Sequence, residues 1–309
     1  MCLVLMLGLL SRGRLRRSCF RKYYKVILVW FLMEKNLEGL SFPLEGKYVA
    51  MIAPSFVANF SYPSLICRLK ALGFDKVVEL TFGAKMINRE YHEILAGSNK
   101  LWISSACPGV VSTIENKMPQ YKNNLVGVDS PMVAMAKICK KHFKEYKTVF
   151  ISPCDFKKVE AEGSKYVDYV VDYDELESLF KKYKIGKSVS KETVMFDSFY
   201  NDYTKVFPLG GGLAKTAHLK NILKEDEFVC IDGIVELLKF LENPTKGVRF
   251  VDCLFCVGGC IGGPHTNKVL SVEAKKKRVL KYLVEAKRED IPEDRKGLVE
   301  KATGISFRK

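Results

Sequence analysis

The chain has 309 residues, 48% of them hydrophobic, enough to bury a core in one large domain or two lobes and too many for a disordered chain. Its formal net charge is +15, but the basic residues are spread along the sequence with no aromatic-studded basic stripe. Solvated helix faces account for that excess, so no specific nucleic-acid binding is expected. Ten cysteines without a convincing secretory signal argue against a disulfide framework and leave metal-binding or buried thiols.

In chain order, residues 1–46 form an atypical segment: 1–10 are apolar, 11–17 strongly basic, and 24–33 apolar again. Neither apolar run reaches the roughly 18–20 residues of a bilayer span, and no basic stretch precedes the first run as in a signal peptide. The segment reads as a tail or a start-site artefact. A membrane-touching amphipathic stretch is the lesser reading, and the expected localisation is cytoplasmic. From residue 47 the pattern is regular. Strands are predicted at 47–54, 76–80, 101–105 and 148–151, and helices at 62–72, 84–95, 110–117 and 132–143. Further on, strands are predicted at 166–173, 227–231 and 247–253, with helices at 173–183, 213–223 and 233–241 and a glycine-rich loop at 208–212. Residues 273–285 read as an exposed basic helix, and the stretch after 288 has no strong pattern. This alternation predicts an α/β fold of mostly parallel sheets flanked by helices. The expected organisation is a segment 1–46, a domain 47–270 with lobes of about 47–165 and 166–270, and a basic C-terminal helix and tail 271–309.

Cysteines fall where such sheets bind ligands, beyond the carboxyl ends of strands. Cys107 follows the strand at 101–105, Cys154 that at 148–151, and Cys256 and Cys260 that at 247–253. If the group CLFCVGGCIGGP is helical, Cys256 and Cys260 share a face and Cys253 joins it. Gly258 and Gly259 would let the backbone approach a bulky cluster, with their amides donating to its sulfides. Four thiolates suit a cubane iron–sulfur cluster or zinc. Cys67, Cys139 and Cys230 read as buried packing residues; Cys2 and Cys19 lie in the atypical segment, and spacing alone leaves Cys253 ambiguous. His92, His142, His218 and His265 read as surface or core residues, and only His265 is near the cysteine group.

The segments SSACP (104–108), SPCDFKK (152–158) and CVGGCIGG (256–263) resemble, in order, the three signature motifs of the iron-only hydrogenase large-subunit domain. APS at 53–55, TFGA at 81–84, Ser130-Pro131 and the loop at 211–213 add to the resemblance, which covers about residues 47–270. It implies a 4Fe-4S cubane ligated by Cys107, Cys154, Cys256 and Cys260, with Cys260 bridging to a two-iron carbonyl/cyanide centre, and the cluster gripped between two lobes. Cys107 and Cys154 would come from the first lobe, Cys256 and Cys260 from the second. Lys157 would contact a cyanide ligand, and Ser55 would donate a further hydrogen bond. Three positions depart from the family's pattern. Ala106 stands where a proton-shuttling cysteine is usual, Met132 at a usual glutamine and Ser152 at a usual methionine. The family's glutamate–serine relay has no clear counterpart, Glu90 and Glu93 being the nearest acids. Loss of a proton donor slows acid–base chemistry while sparing cluster binding, and Ala106 resembles the sensory branch of the family. The implied function is reversible H2/proton chemistry, or sensing of H2 or redox state with weak hydrogenase-type oxidoreductase activity. No Cys-x-x-Cys run occurs in residues 1–50. If that segment is the true start, electrons arrive from ferredoxin or another redox protein; a truncated start is the other reading. Two alternatives stand beside this one. One is a non-catalytic 4Fe-4S protein of the iron–sulfur assembly kind. The other is a basic nucleic-acid-binding protein with structural zinc.

Overall fold

A computed structural model of the protein describes residues 39–187 and 194–309. The runs read in residues 1–33, with Cys2 and Cys19, lie outside the described residues. Residues Ser41–Lys309 form one compact unit. The strands among the described residues are β1 (Tyr48–Ile52), β2 (Lys76–Glu79), β3 (Trp102–Ile103), β4 (Lys147–Ser152), β5 (Tyr169–Asp172), β6 (Phe228–Asp232) and β7 (Phe250–Leu254). The α-helices are α1 (Ser64–Ala71), α2 (Thr81–Ala96), α3 (Pro108–Lys117), α4 (Pro131–His142), α5 (Phe156–Glu162), α6 (Tyr173–Lys182), α7 (Gly212–Thr216), α8 (Ile234–Glu242) and α9 (Val272–Ala286).

The strands form two sheets, ordered β2-β1-β4-β5 and β3-β7-β6, and every pairing is parallel. Strand β1, YVAMI, is buried along its whole length, as suits a central strand covered on both faces. In the second sheet β7 is central. Its Phe250 enters one hydrophobic core, while Val251 and Cys253 enter another, as the two-residue period of a strand requires.

The sheets do not divide the chain at residue 165. β3 comes from the first half of the sequence but pairs with β7, Trp102 opposite Phe250 and Ile103 opposite Val251. β5, from the second half, pairs with β4. The expected split by sequence position therefore gives way to an interleaved one, with β3 and β5 each pairing across it. Cys107 follows β3 and belongs with the sheet of Cys256 and Cys260, while Cys154 follows β4 of the other sheet.

Side-chain caps mark several helix starts. Asp172 caps α6 through the backbone N–H groups of Asp174 and Glu175, and Glu175 answers in a capping box. Ser130 caps α4, and Pro131 takes its first turn. The helix expected over 213–223 instead breaks at His218, whose φ of 54° ends α7's run before a 3-10 turn at Leu219–Asn221. The C-terminal helix is not simply exposed. α9 buries Lys275, Val279, Tyr282 and Ala286, and the Lys275 ammonium donates to the Ile261 carbonyl at 3.1 Å and to Thr266 Oγ1 at 2.9 Å. The following stretch also packs down: Phe307 is buried, and its carbonyl accepts the Asp129 N–H at 2.8 Å. Among the described residues no helix is long and apolar enough to cross a membrane.

Candidate iron–sulfur site

Each cysteine motif begins where a strand stops. Cys107 is the N-cap residue of α3, with Pro108 in the first turn, so its sulfur sits near the positive end of a helix dipole. Cys154 lies between β4 and α5, and its N–H is held by Ser152 Oγ at 3.1 Å. The 256–260 segment is not helical. Gly258 and Gly259 have φ of +82° and +74°, a left-handed turn that leads into a 3-10 turn at Gly259–Gly262. The two sulfurs share a neighbourhood because the loop folds back, not because they lie one helical turn apart.

Cys107, Cys154 and Cys260 line one cavity of about 80 Å³, together with Ser55, Ala106, Lys157 and a wall of Pro54, Leu80, Phe150, Phe207 and Leu254. Cys256 stands beside this group, close enough that its charge affects Cys154 and Cys260. Burial pushes the Cys154 thiol up to about 12, and Cys107 and Cys256 add to the rise. Burial and then Cys107 push Cys256 up to about 11. Cys260 is raised well above the usual thiol range, first by burial and then by Cys107, Cys154 and Cys256. Thiolates crowded in this way call for a cationic centre to hold them ionised. A donor set of four cysteine thiols on strand-end loops is of the kind that holds an iron–sulfur group.

The three motifs lock onto each other. Phe156, after Cys154, and Phe255, before Cys256, pack at 4.9 Å between ring centroids, and both close over Gly109, where a Cβ would meet their rings at 2.9–3.0 Å. A Cβ on Gly263 would lie 2.7 Å from the Pro153 carbonyl. His265 N–H donates to that same carbonyl at 3.2 Å. The His265 ring bridges Asp155 (Nε2, 2.6 Å) and Asp174 (Nδ1, 2.8 Å). Burial alone would lower its pKa, but these carboxylates and Asp172 outweigh that and raise it to about 9. His265, read from sequence as a surface or core residue near the site, is thus a charged brace between the second and third motifs.

Other expected site residues are placed as follows. The Lys157 ammonium lines the cavity but is ion-paired to Glu160 at 2.6 Å, a partner that lies one helical turn away and that the motif itself does not point to. Ser55 Oγ lies 2.8 Å from Tyr173 Oη, which donates to the Ala53 carbonyl at 3.3 Å. Ala106 is a buried wall residue. Gly258 and Gly259 do not direct their amides at the cavity: the Gly258 N–H donates to Asp232 Oδ2 at 2.9 Å, and the Gly259 N–H to the Cys256 carbonyl at 3.0 Å. These glycines serve close packing instead. A Cβ on Gly259 would sit 2.5 Å from the Pro208 carbonyl, and one on Gly258 2.4 Å from Val272. Cys253 is fully buried on β7, its thiol 3.9 Å from the Ser104 carbonyl. Cys139 is buried as expected, Cys67 is half-buried, and Cys230 is exposed on β6. Glu90 and Glu93 turn to Arg308, at 2.5 and 3.0 Å, rather than to the cavity. Facing inward from α2 is Tyr91, whose hydroxyl is 3.1 Å from Ser105 Oγ. A wider cleft of about 570 Å³, between α2 and residues 201–204 and 216–218, contains no cysteine.

Comparison with known proteins agrees with this geometry. The sequence model described as "Iron only hydrogenase large subunit, C-terminal domain" matches residues 46–264. Iron hydrogenase 1 of Clostridium pasteurianum is 28% identical over 304 residues, covering 76% of this chain and 53% of that protein. The cytosolic Fe-S cluster assembly factor NAR1 of Encephalitozoon cuniculi is 29% identical over 215 residues, covering 62% of this chain and 58% of that protein. The chain thus spans little more than half the length of these relatives. In fold it is similar to FeFe-hydrogenase HydA1 of Chlamydomonas reinhardtii, with a TM-score of 0.60 at 18% identity over 86% of this chain and 90% of the other. With motifs, fold and sequence model in agreement, the chain belongs to the family of iron-only hydrogenase large-subunit domains.

Proposed function

We propose that this protein binds a 4Fe-4S cluster through Cys107, Cys154, Cys256 and Cys260, and that it acts on H2 and protons slowly, in a sensory or regulatory role. The observation that carries this reading is the meeting of three thiols from three distant segments on one cavity whose wall holds Ala106. A bound cubane, held by the four cysteines, would supply one-electron transfer, and a two-iron carbonyl/cyanide centre held beside it at Cys260 would supply the site of hydrogen chemistry. The chain's own residues set the surroundings of that chemistry. The apolar wall excludes water, while Ser55 and Lys157 offer polar contacts to an anionic ligand. The methyl group of Ala106 carries no proton, and the acids of α2 are turned to Arg308. Proton delivery is therefore the slow step, and redox equivalents come from a ferredoxin-like partner.

Anaerobic iron and sulfide analysis tests the cluster: about four irons per chain are expected, lost in Cys256→Ala. Zinc, or no metal after iron and sulfide are supplied, defeats the reading. In protein matured with the two-iron centre, Ala106→Cys is expected to raise hydrogen evolution by about 10²-fold or more, the usual worth of a positioned proton donor. A fast wild-type rate defeats the sensory assignment.

A second reading, a cubane held without hydrogen chemistry, draws support from the pairing of Lys157 with Glu160 and from similarity to an Fe-S assembly factor. Infrared bands of iron-bound carbonyl and cyanide in matured protein decide between the two.

A further inference from the structure

Three consecutive amides of the 256–260 loop are spent on oxygen acceptors. The Gly258 N–H donates to Asp232 Oδ2 at 2.9 Å, the Gly259 N–H to the Cys256 carbonyl at 3.0 Å, and the Cys260 N–H to the Pro208 carbonyl at 2.8 Å. Asp232 is the last residue of β6, beside the strand that feeds the loop. Its carboxylate is closely packed: a Cβ on Gly210 would lie 2.8 Å from Oδ2, and one on Gly259 would lie 2.5 Å from the Pro208 carbonyl and 3.1 Å from the Gly210 nitrogen. Among the described residues it forms no ion pair with a cation.

We infer that Asp232 is the positioning residue of the Cys256–Cys260 loop and that its charge holds the reduction potential of the bound cluster low. The inference rests on the cluster reading above. Two physical effects act in one direction. Backbone N–H groups aimed at cluster sulfurs favour the reduced, more negative state, and here the amides of Gly258, Gly259 and Cys260 are committed to oxygen acceptors. A fixed carboxylate held against the loop repels the added electron, and in a half-buried setting that repulsion is screened less than in water. Asp232 thus serves twice, as the acceptor that shapes the turn and as a negative charge beside it.

The test is an anaerobic potentiometric titration of the reconstituted cluster, followed by electron paramagnetic resonance, on wild type and two variants. Asp232→Asn keeps an oxygen for the Gly258 N–H but removes the charge. Its iron content should match wild type, and its midpoint should move positive. At the wild-type midpoint the reduced-to-oxidised ratio should rise about tenfold, or 59 mV for one electron. Asp232→Ala removes the acceptor as well and should lose iron to a chelator several-fold faster. Circular dichroism of the apoproteins checks folding, and Asp232→Asn carries the test alone should the alanine variant not fold. An unchanged midpoint in Asp232→Asn, or an unchanged chelator half-life in folded Asp232→Ala, overturns the inference. Failure of the wild type to hold iron strikes the cluster reading instead, and is seen before any variant is made.

Discussion

Cys253 lies three residues before Cys256, and spacing alone gives the two similar standing. Strand alternation separates them: Cys253 sits within β7 and points into the core beside Ser104, whereas Cys256 lies beyond the strand end. Cys253→Ala is therefore expected to leave the iron content unchanged and to cost about 1 kcal/mol in denaturant unfolding, a typical core substitution. Loss of iron in that variant would make Cys253 a ligand. Ala106 lines the cavity, and its methyl group carries no proton whatever surrounds it. The orientation of the α2 acids was not legible in the sequence: Glu90 and Glu93 are close to the motif in sequence, but helix phase turns them to Arg308 and presents Tyr91 inward.

Among the strands and helices, it is the strand ends and the loops beyond them that make the site, and the loops are anchored by carboxylates on β6 and β7. Asp252 of β7 is buried and accepts the Ala214 N–H of α7 at 2.9 Å. Burial raises its pKa to about 6, against the lowering effect of the Ala214 and Leu213 amides. The folded state then binds a proton more tightly than the unfolded chain, whose carboxyl titrates near 3.8. This contribution to stability is present below about pH 4, falls as pH rises through 6, and is gone above it. A rise from 3.8 to about 6 corresponds to roughly 3 kcal/mol. Asp252→Asn should thus be more stable than wild type at pH 7.5, with the advantage shrinking toward pH 5 in thermal melts. An advantage independent of pH would mean that Asp252 does not titrate in this window.

Across the fold, a buried polar knot joins distant segments. The carboxylate of Glu79 on β2 pairs with the Lys205 ammonium, which also donates to Tyr282 of α9 at 2.8 Å; Tyr282 in turn donates to Glu79 Oε1 at 3.0 Å. All three side chains are buried. Burial pushes Glu79 up and Lys205 down, and their pairing opposes both shifts. Lys205→Met leaves a buried carboxylate without its cation and is expected to cost about 3–5 kcal/mol. The double variant Glu79→Gln/Lys205→Met should recover much of that loss in chemical denaturation. Equal losses in single and double variants would show that the pair itself contributes the stability.

Residue types and local periods were enough to establish the parallel α/β class and the three cysteine motifs. Apolar runs make buried strands, and a thiol or methyl group keeps its chemistry in any setting. The pairing of β3 with β7 needed the folded chain, and through it Cys107 shares a sheet with Cys256 and Cys260 rather than with Cys154. So did the left-handed turn at 256–260 and the support that Asp232, Glu160 and His265 lend to the motifs. Strand order and loop shape arise from contacts between residues as distant in sequence as Trp102 and Phe250, whose energies no local pattern records. A carboxylate on β6 has no local mark that tells it from any other acid until the loop it holds is folded against it.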